Sequence, residues 1–246
     1  MSQPVLTKSQ RELVAFLFGS QRSTISARLT QWIFVSPRYA AFVNRYRDKI
    51  RKKLRVTREA EAVADLLYEL QVPYWLLQEK RFEVAYEPYL AAKKRGPDYS
   101  VTFRTNFTFN IEITHVRGRK PSASASTEDT GIDLRLVDVL CGKLRQMLPS
   151  MANVLFVVAG PRVLDKLDLA AHLSWIKEKA ERSDPSFYAR QRFLSAADFF
   201  KHYQRLSGLA TFESAGLKKH ALWVNPQARI GLPAGVVNTL ERGPSL

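Results

Sequence analysis

Residues 97–116 read PDYSVTFRTNFTFNIEITHV, and the alternation within them decides the fold. In the second half, Phe107, Phe109, Ile111 and Ile113 recur at every second place. A period of two is that of a strand with one face on a core. The first half, PDYSVTF (97–103), starts directly after a Gly-Pro turn, and a short polar link, Arg104 to Asn106, joins the two. This spacing predicts a β-hairpin. Upstream, RFEVAYEP (81–88) alternates in the same manner. Downstream, ANVLFVVAG (152–160) is a continuous apolar run bounded by turn residues. Such a run is the mark of a strand buried on both faces at the centre of a sheet.

Helices fill the intervals. Thr57 is placed to cap a helix running to about Leu70, whose Ala62, Val63, Leu66, Leu67 and Leu70 share one face at helical spacing. A Ser-, Gly- and charge-rich loop covers 117–131, and a helix from about Ile132 to Leu148 follows. The order over 57–160 is therefore α-β-β-β-α-β. Beyond it, helical patterns return at 165–181 and 195–207, and ALWVNPQARIGLP reads as a strand and a Pro-bounded loop. Before it, 9–55 is helical and basic, with Ser36 and Pro37 breaking one helix from the next as an N-cap and first-turn proline do. The expectation is an α/β protein with a mixed central sheet. It has three regions in one compact unit: basic helices (1–56), the core (57–160) and a mainly helical C-terminal extension (161–246).

The chain has 246 residues, 46% of them hydrophobic, which suffices for a sizeable core. Its net charge is +15. Residues 1–55 hold 12 Lys and Arg against only Glu12 and Asp48, so most of the excess lies there. The densest run, RYRDKIRKKLR, contributes Arg45, Arg47, Lys49, Arg51, Lys52, Lys53 and Arg55. A positive field of this size attracts polyanions, of which nucleic acid is the usual one. Trp32, Phe34, Tyr39, Phe42 and Tyr46 interleave with the arginines of this region and are read mostly as core-facing. The single cysteine, Cys141, excludes an internal disulfide, sits in an apolar helical pattern as a core thiol, and fits a reducing, cytoplasmic setting. No apolar run reaches the length of a membrane span and no signal peptide is read, so no membrane partner is expected.

Two carboxylates occupy distinctive places. Asp98 opens the second strand, and Glu112 lies within the third, on the side opposite Phe109, Ile111 and Ile113. An acid amid an apolar β-pattern is costly unless something compensates it, and a divalent cation held by both carboxylates does so. With Pro97-Asp98, Glu112-Ile113-Thr114 and this element order, about two fifths of the chain resembles the PD-(D/E)xK nuclease superfamily, with its restriction-endonuclease-like core. The resemblance implies Mg²⁺ (or Mn²⁺) ligated by Asp98 and Glu112, hydrolysis of phosphodiester bonds, and DNA as the partner. It also implies a helix acid as auxiliary ligand, for which Glu69 is the candidate. The departure is Thr114, which stands where the family has a catalytic lysine. Lys143 and Gln146 lie together at the margin of the apolar stripe of the following helix, and Lys143 is the candidate substitute. His115, Arg117 and Lys120 are further possible donors, although His115 points away from Thr114.

The alternative keeps the fold without catalysis: an inactive nuclease core that binds nucleic acid or serves in a larger nucleic-acid-processing complex. A third class is an unrelated helical adaptor with a small sheet, which absence of a parallel or mixed sheet containing 152–160 would favour. The four histidines show no i, i+4 pair, and the phosphate-loop, dinucleotide and hydrolase-elbow motifs are lacking, so zinc, P-loop, dinucleotide and serine-hydrolase readings lack support.

Overall fold

A computed structural model of the protein describes residues 7–19, 23–89, 96–118 and 132–243. They form two compact units, divided between Tyr86 and Glu87. Among the described residues there are eleven helices and six strands. None of these helices is long and apolar enough to cross a membrane.

The first unit holds α1 (Lys8–Phe18), α2 (Thr24–Val35), α3 (Pro37–Arg45), α4 (Arg47–Val56), α5 (Ala60–Leu77) and β1 (Phe82–Tyr86). Local chemistry sets the helix starts. Thr7 and Gln10 close a capping box on α1, and Ser36 caps α3 with Pro37 in its first turn. Trp32, Tyr39 and Phe42 are buried, Trp32 stacking on Tyr74 with centroids 5.3 Å apart, so these aromatics are core. Two boundaries differ from the sequence reading. Thr57 ends α4, and α5 begins at Ala60 with no side-chain cap. And α5 continues past Leu70, through Pro73, to Leu77. A proline removes a helix hydrogen bond. Here burial of Leu70, Val72, Trp75, Leu76 and Leu77 outweighs that loss, and the Leu70 carbonyl takes the Tyr39 hydroxyl at 2.9 Å. The end of α5 is held by Arg38 of α3. Its guanidinium donates to the carbonyls of Leu77 (2.6 Å), Glu79 (2.7 Å) and Phe82 (2.5 Å).

The second unit holds β2 (Tyr99–Phe103), β3 (Phe107–Val116), α6 (Leu134–Leu144), β4 (Ala152–Ala159), α7 (Pro161–Leu164), α8 (Leu169–Glu181), α9 (Pro185–Gln191), α10 (Ala196–Tyr203), β5 (Leu206–Glu213), β6 (Lys218–Val224) and α11 (Ala234–Arg242). Strands β2 to β6 lie side by side in chain order. The β2–β3 and β5–β6 pairs are antiparallel, and β4 pairs in parallel with β3 and with β5. The sheet is mixed and contains 152–159. All eight residues of β4 are buried, as the apolar run implied.

The sheet continues beyond β4. Residues 206–213 form β5, where the sequence reading had ended a helix at 207. Its Ser207 and Thr211 are fully buried, and Gly208 lies so close to the Trp223 carbonyl that a Cβ would stand 3.2 Å from it. A strand carrying buried polar residues and a packing glycine shows neither clean alternation nor a continuous apolar run.

Register assigns the faces. Leu155, Val157 and Ala159 of β4 join Leu140, Cys141 and Leu144 of α6, Leu173 and Ile176 of α8, Phe187 and Phe199 in one cluster. On the other face, Phe156 meets Phe212 at 4.7 Å between centroids, and α11 comes close enough to β2 that a Cβ on Gly235 would lie 3.2 Å from the Phe103 ring.

Two predictions arise here. In the β2–β3 link, Arg104 and Thr105 both take positive φ, 49° and 67°. A β-branched residue is strained there, whereas glycine is not. Thr105→Gly is expected to stabilise the protein by about 0.5 kcal/mol, the relief of strain outweighing the glycine entropy, read as a higher urea midpoint.

His202 of α10 has its Nδ1 buried without a hydrogen-bond partner and its ring 6.0 Å from Phe193. Burial first, then the charge of Arg205, pushes its pKa below the ordinary value, against the opposing pull of Asp198. The unfolded chain, titrating near 6.5, therefore takes up the proton first as pH falls. This contribution is fully present above about pH 6.5 and is lost as pH drops through the folded value. Urea unfolding at pH 7.5 and 5.5 is expected to show a smaller stability difference in His202→Phe than in the wild type.

Candidate functional site

The site forms where the hairpin meets the end of α6. Gly96 and Pro97 deliver the chain to β2. A Cβ on Gly96 would stand 2.7 Å from Cβ of Tyr89, so this close approach requires glycine. The next residue is Asp98. The register pairs Tyr99 with Ile111, and continued by one residue it sets Asp98 opposite Glu112. The Asp98 Oδ2 accepts the Ile113 N–H at 2.8 Å, and its own carbonyl accepts the Glu87 N–H at 2.8 Å. Its carboxylate is thereby fixed across the hairpin.

On this side of the sheet polar residues form a row. Thr102 and Thr108 hydroxyls lie 3.0 Å apart, Ser100 donates to Asn110 Oδ1 at 2.8 Å, and Asn110 donates to Asn153 of β4 at 3.3 Å. Asn153 in turn donates to the carbonyls of Leu148, Met151 and Arg205, so the buried amides are satisfied. Glu112 and Thr114 extend this row along β3. They pair in register with Leu155 and Val157, and so face α6.

Lys143 stands in the last turn of α6. Its Nζ lies 2.5 Å from Glu112 Oε1, with 22% and 14% of the two side chains exposed. The helix does not present this lysine as a solvated charge; it turns it to the strand acid. Beside the pair is a small recess, with room for about one water, lined by Pro97, Asn110, Glu112, Gln146, Leu148 and Asn153, with Met147. The structure thus brings Glu112, Lys143 and Gln146 to one place, next to the residue that precedes Asp98. Thr114 is half-buried, two residues on along β3. The lining amides Asn110 and Asn153 were not singled out in the sequence. Their signal was present, since Asn110 sits at the same strand parity as Glu112.

Glu69 and the basic run belong to the first unit. There Lys53 Nζ contacts Glu69 Oε1 at 2.5 Å and the Tyr86 hydroxyl also donates to it. Of the basic run, Arg45, Arg47, Lys52 and Arg55 are exposed. Lys49 reaches the Tyr86 carbonyl at 3.4 Å, and Arg51 lies over the Phe16 ring at 4.3 Å. His115 has the parity opposite to Thr114, and Lys120 and most of the 117–131 loop lie outside the described residues. Cys141 is core, its thiol pushed up to about 12 by burial, and so carries no nucleophilic role.

The donor set bears on a metal ion directly. Among the described residues no three His, Cys, Asp or Glu side chains come together as a metal cage. Mg²⁺, however, is held by one or two carboxylates with waters and substrate phosphates completing its shell. Two carboxylates at opposite positions of the hairpin register, Glu112 among them lining the recess, offer that number of ligands. Compared with family models, curated proteins and solved structures, the chain matches none.

Proposed function

We propose that the chain is a Mg²⁺-dependent nuclease with a restriction-endonuclease-like core, hydrolysing phosphodiester bonds of DNA. The observation that carries this reading is the placement of Glu112. It stands opposite Asp98 in the hairpin register, 2.5 Å from Lys143 and in the lining of a small recess. The element order α5-β1-β2-β3-α6-β4 supports the same reading. Asp98 and Glu112 are the residues that would hold the ion, which supplies a polarised phosphate and an acidified water when bound. Asp98 is oriented for this by the Ile113 amide. Lys143 supplies the positive charge that Thr114 lacks. Gln146, at the recess, offers amide hydrogen bonds to a phosphate oxygen or a water. The exposed cations of α4 and its neighbour Arg45 attract the phosphate backbone to the first unit.

The test is incubation of supercoiled plasmid DNA with Mg²⁺. Nicking or linearisation that EDTA and Asp98→Ala both abolish is expected. Full cleavage by Asp98→Ala sinks the reading.

Thr114 favours a second reading, in which the core has lost catalysis and binds nucleic acid. Wild type that never cleaves, yet binds a duplex with affinity falling steeply as salt rises, establishes it. Binding indifferent to salt removes nucleic acid as the partner in both readings.

A further inference from the structure

We infer that the Lys143–Glu112 ion pair and the binding of a divalent cation at Glu112 oppose one another, the ammonium already supplying positive charge at that carboxylate. This rests on the metal-site reading above and adds to it an order of events: the ion is held weakly until a phosphate arrives to receive the lysine.

Three observations carry it. The first is the contact itself, 2.5 Å between Nζ and Oε1 in a half-buried setting. An ammonium at that distance takes one lone-pair direction of Oε1 and repels a second cation approaching the same carboxylate.

The second is the anchoring of α6. Leu136, Val137, Leu140, Cys141 and Leu144 are all buried, so the helix is fixed and only the flexible side chain of Lys143 moves. Gln146, three residues on from Lys143, lines the recess together with Glu112.

The third is charge. Asp98, Glu112 and Lys143 together carry −1. A divalent ion brings the cluster to +1, and one phosphodiester then brings it to zero. Without the lysine the same steps run −2, 0 and −1. The lysine therefore opposes ion binding to the free protein and favours phosphate binding to the loaded one. Metal and nucleic acid become mutually dependent ligands, because each removes the charge that disfavours the other.

The experiment is calorimetric titration of Mn²⁺ alone into the full chain, as wild type, Lys143→Met, Lys143→Arg and Glu112→Gln. Lys143→Met is expected to bind Mn²⁺ about tenfold more tightly, as removal of one nearby like charge implies. Lys143→Arg, which keeps the charge, is expected to stay near wild type, and Glu112→Gln to bind more weakly than either. Equal or weaker binding by Lys143→Met overturns the inference while leaving the metal site standing. A gain shared by Lys143→Arg also overturns it, since charge would not be the cause. No binding by wild type and none by Lys143→Met overturns the metal reading and the inference together.

Discussion

Glu112→Gln is expected to lower Mg²⁺-dependent DNA cleavage by at least about a hundredfold, the range seen when one preorganised electrostatic contact to the transition state is lost. Glutamine keeps the size and one carbonyl oxygen, so Lys143 Nζ retains an acceptor and the β3–α6 contact survives. What disappears is the negative charge. Without it the facing pair with Asp98 cannot offset a divalent ion, and the weaker site loads less metal at any given concentration. The measurement is the initial rate of plasmid nicking at several Mg²⁺ concentrations. A rate partly restored at high Mg²⁺ locates the defect in ion binding. A rate equal to wild type removes Glu112 from the chemistry and, with it, the proposed mechanism.

Arg38→Ala is expected to lower the stability of the protein by about 3 kcal/mol, since hydrogen bonds to charged groups contribute about 1.5–3 kcal/mol each and water recovers part of the loss. The guanidinium bridges three carbonyls, two from the turn that ends α5 and one from β1. Helix ends leave such carbonyls without partners, and here one side chain satisfies them in place of a glycine cap. Arg38→Lys is expected to lose much of the same stability, because a single ammonium cannot reach three acceptors in the fork geometry of a guanidinium. Urea unfolding followed by helical circular dichroism reads both. An Arg38→Ala midpoint within error of wild type would falsify the bridging role.

The hairpin was legible because Phe109, Ile111 and Ile113 alternate against polar neighbours, and β4 because six apolar residues, 154–159, stand in a row. Glu112 stood out for the same reason: an acid interrupts a pattern set by burial. The helical phase of Lys143 was legible as well, but the sequence left open whether it faced solvent or sheet. Its actual direction depends on how α6 docks on β3, which is a tertiary fact. Asn110 and Asn153 escaped notice because their value lies in pairing with one another across 43 residues, and no local pattern encodes that. Strand β5 escaped because Ser207, Gly208 and Thr211 meet needs set by distant neighbours, Asn153 and Trp223. The apolar pattern ends α5 near Leu70, and the helix continues through Pro73 because burial and the Tyr39 hydroxyl outweigh the hydrogen bond a proline removes. Each miss is a case in which a partner remote in sequence decided a local outcome.

The central place of β4 also has a consequence for how the chain is made. On the ribosome, the helices of the first unit emerge early, and their contacts are mostly between neighbours in sequence, so they close quickly. Strand β4 emerges with β3 already available as one flank. Its other flank is β5, and the contact from Asn153 to Ser207 spans 54 residues. Until those residues are synthesised, a strand whose every side chain is destined for the interior presents a bare backbone edge. Such an edge is a template for strands of other chains. The interval between the synthesis of 159 and that of 213 is thus the period of greatest exposure to misassembly. A truncation ending after β4 is accordingly expected to aggregate more than a chain that extends through β6, as read by sedimentation.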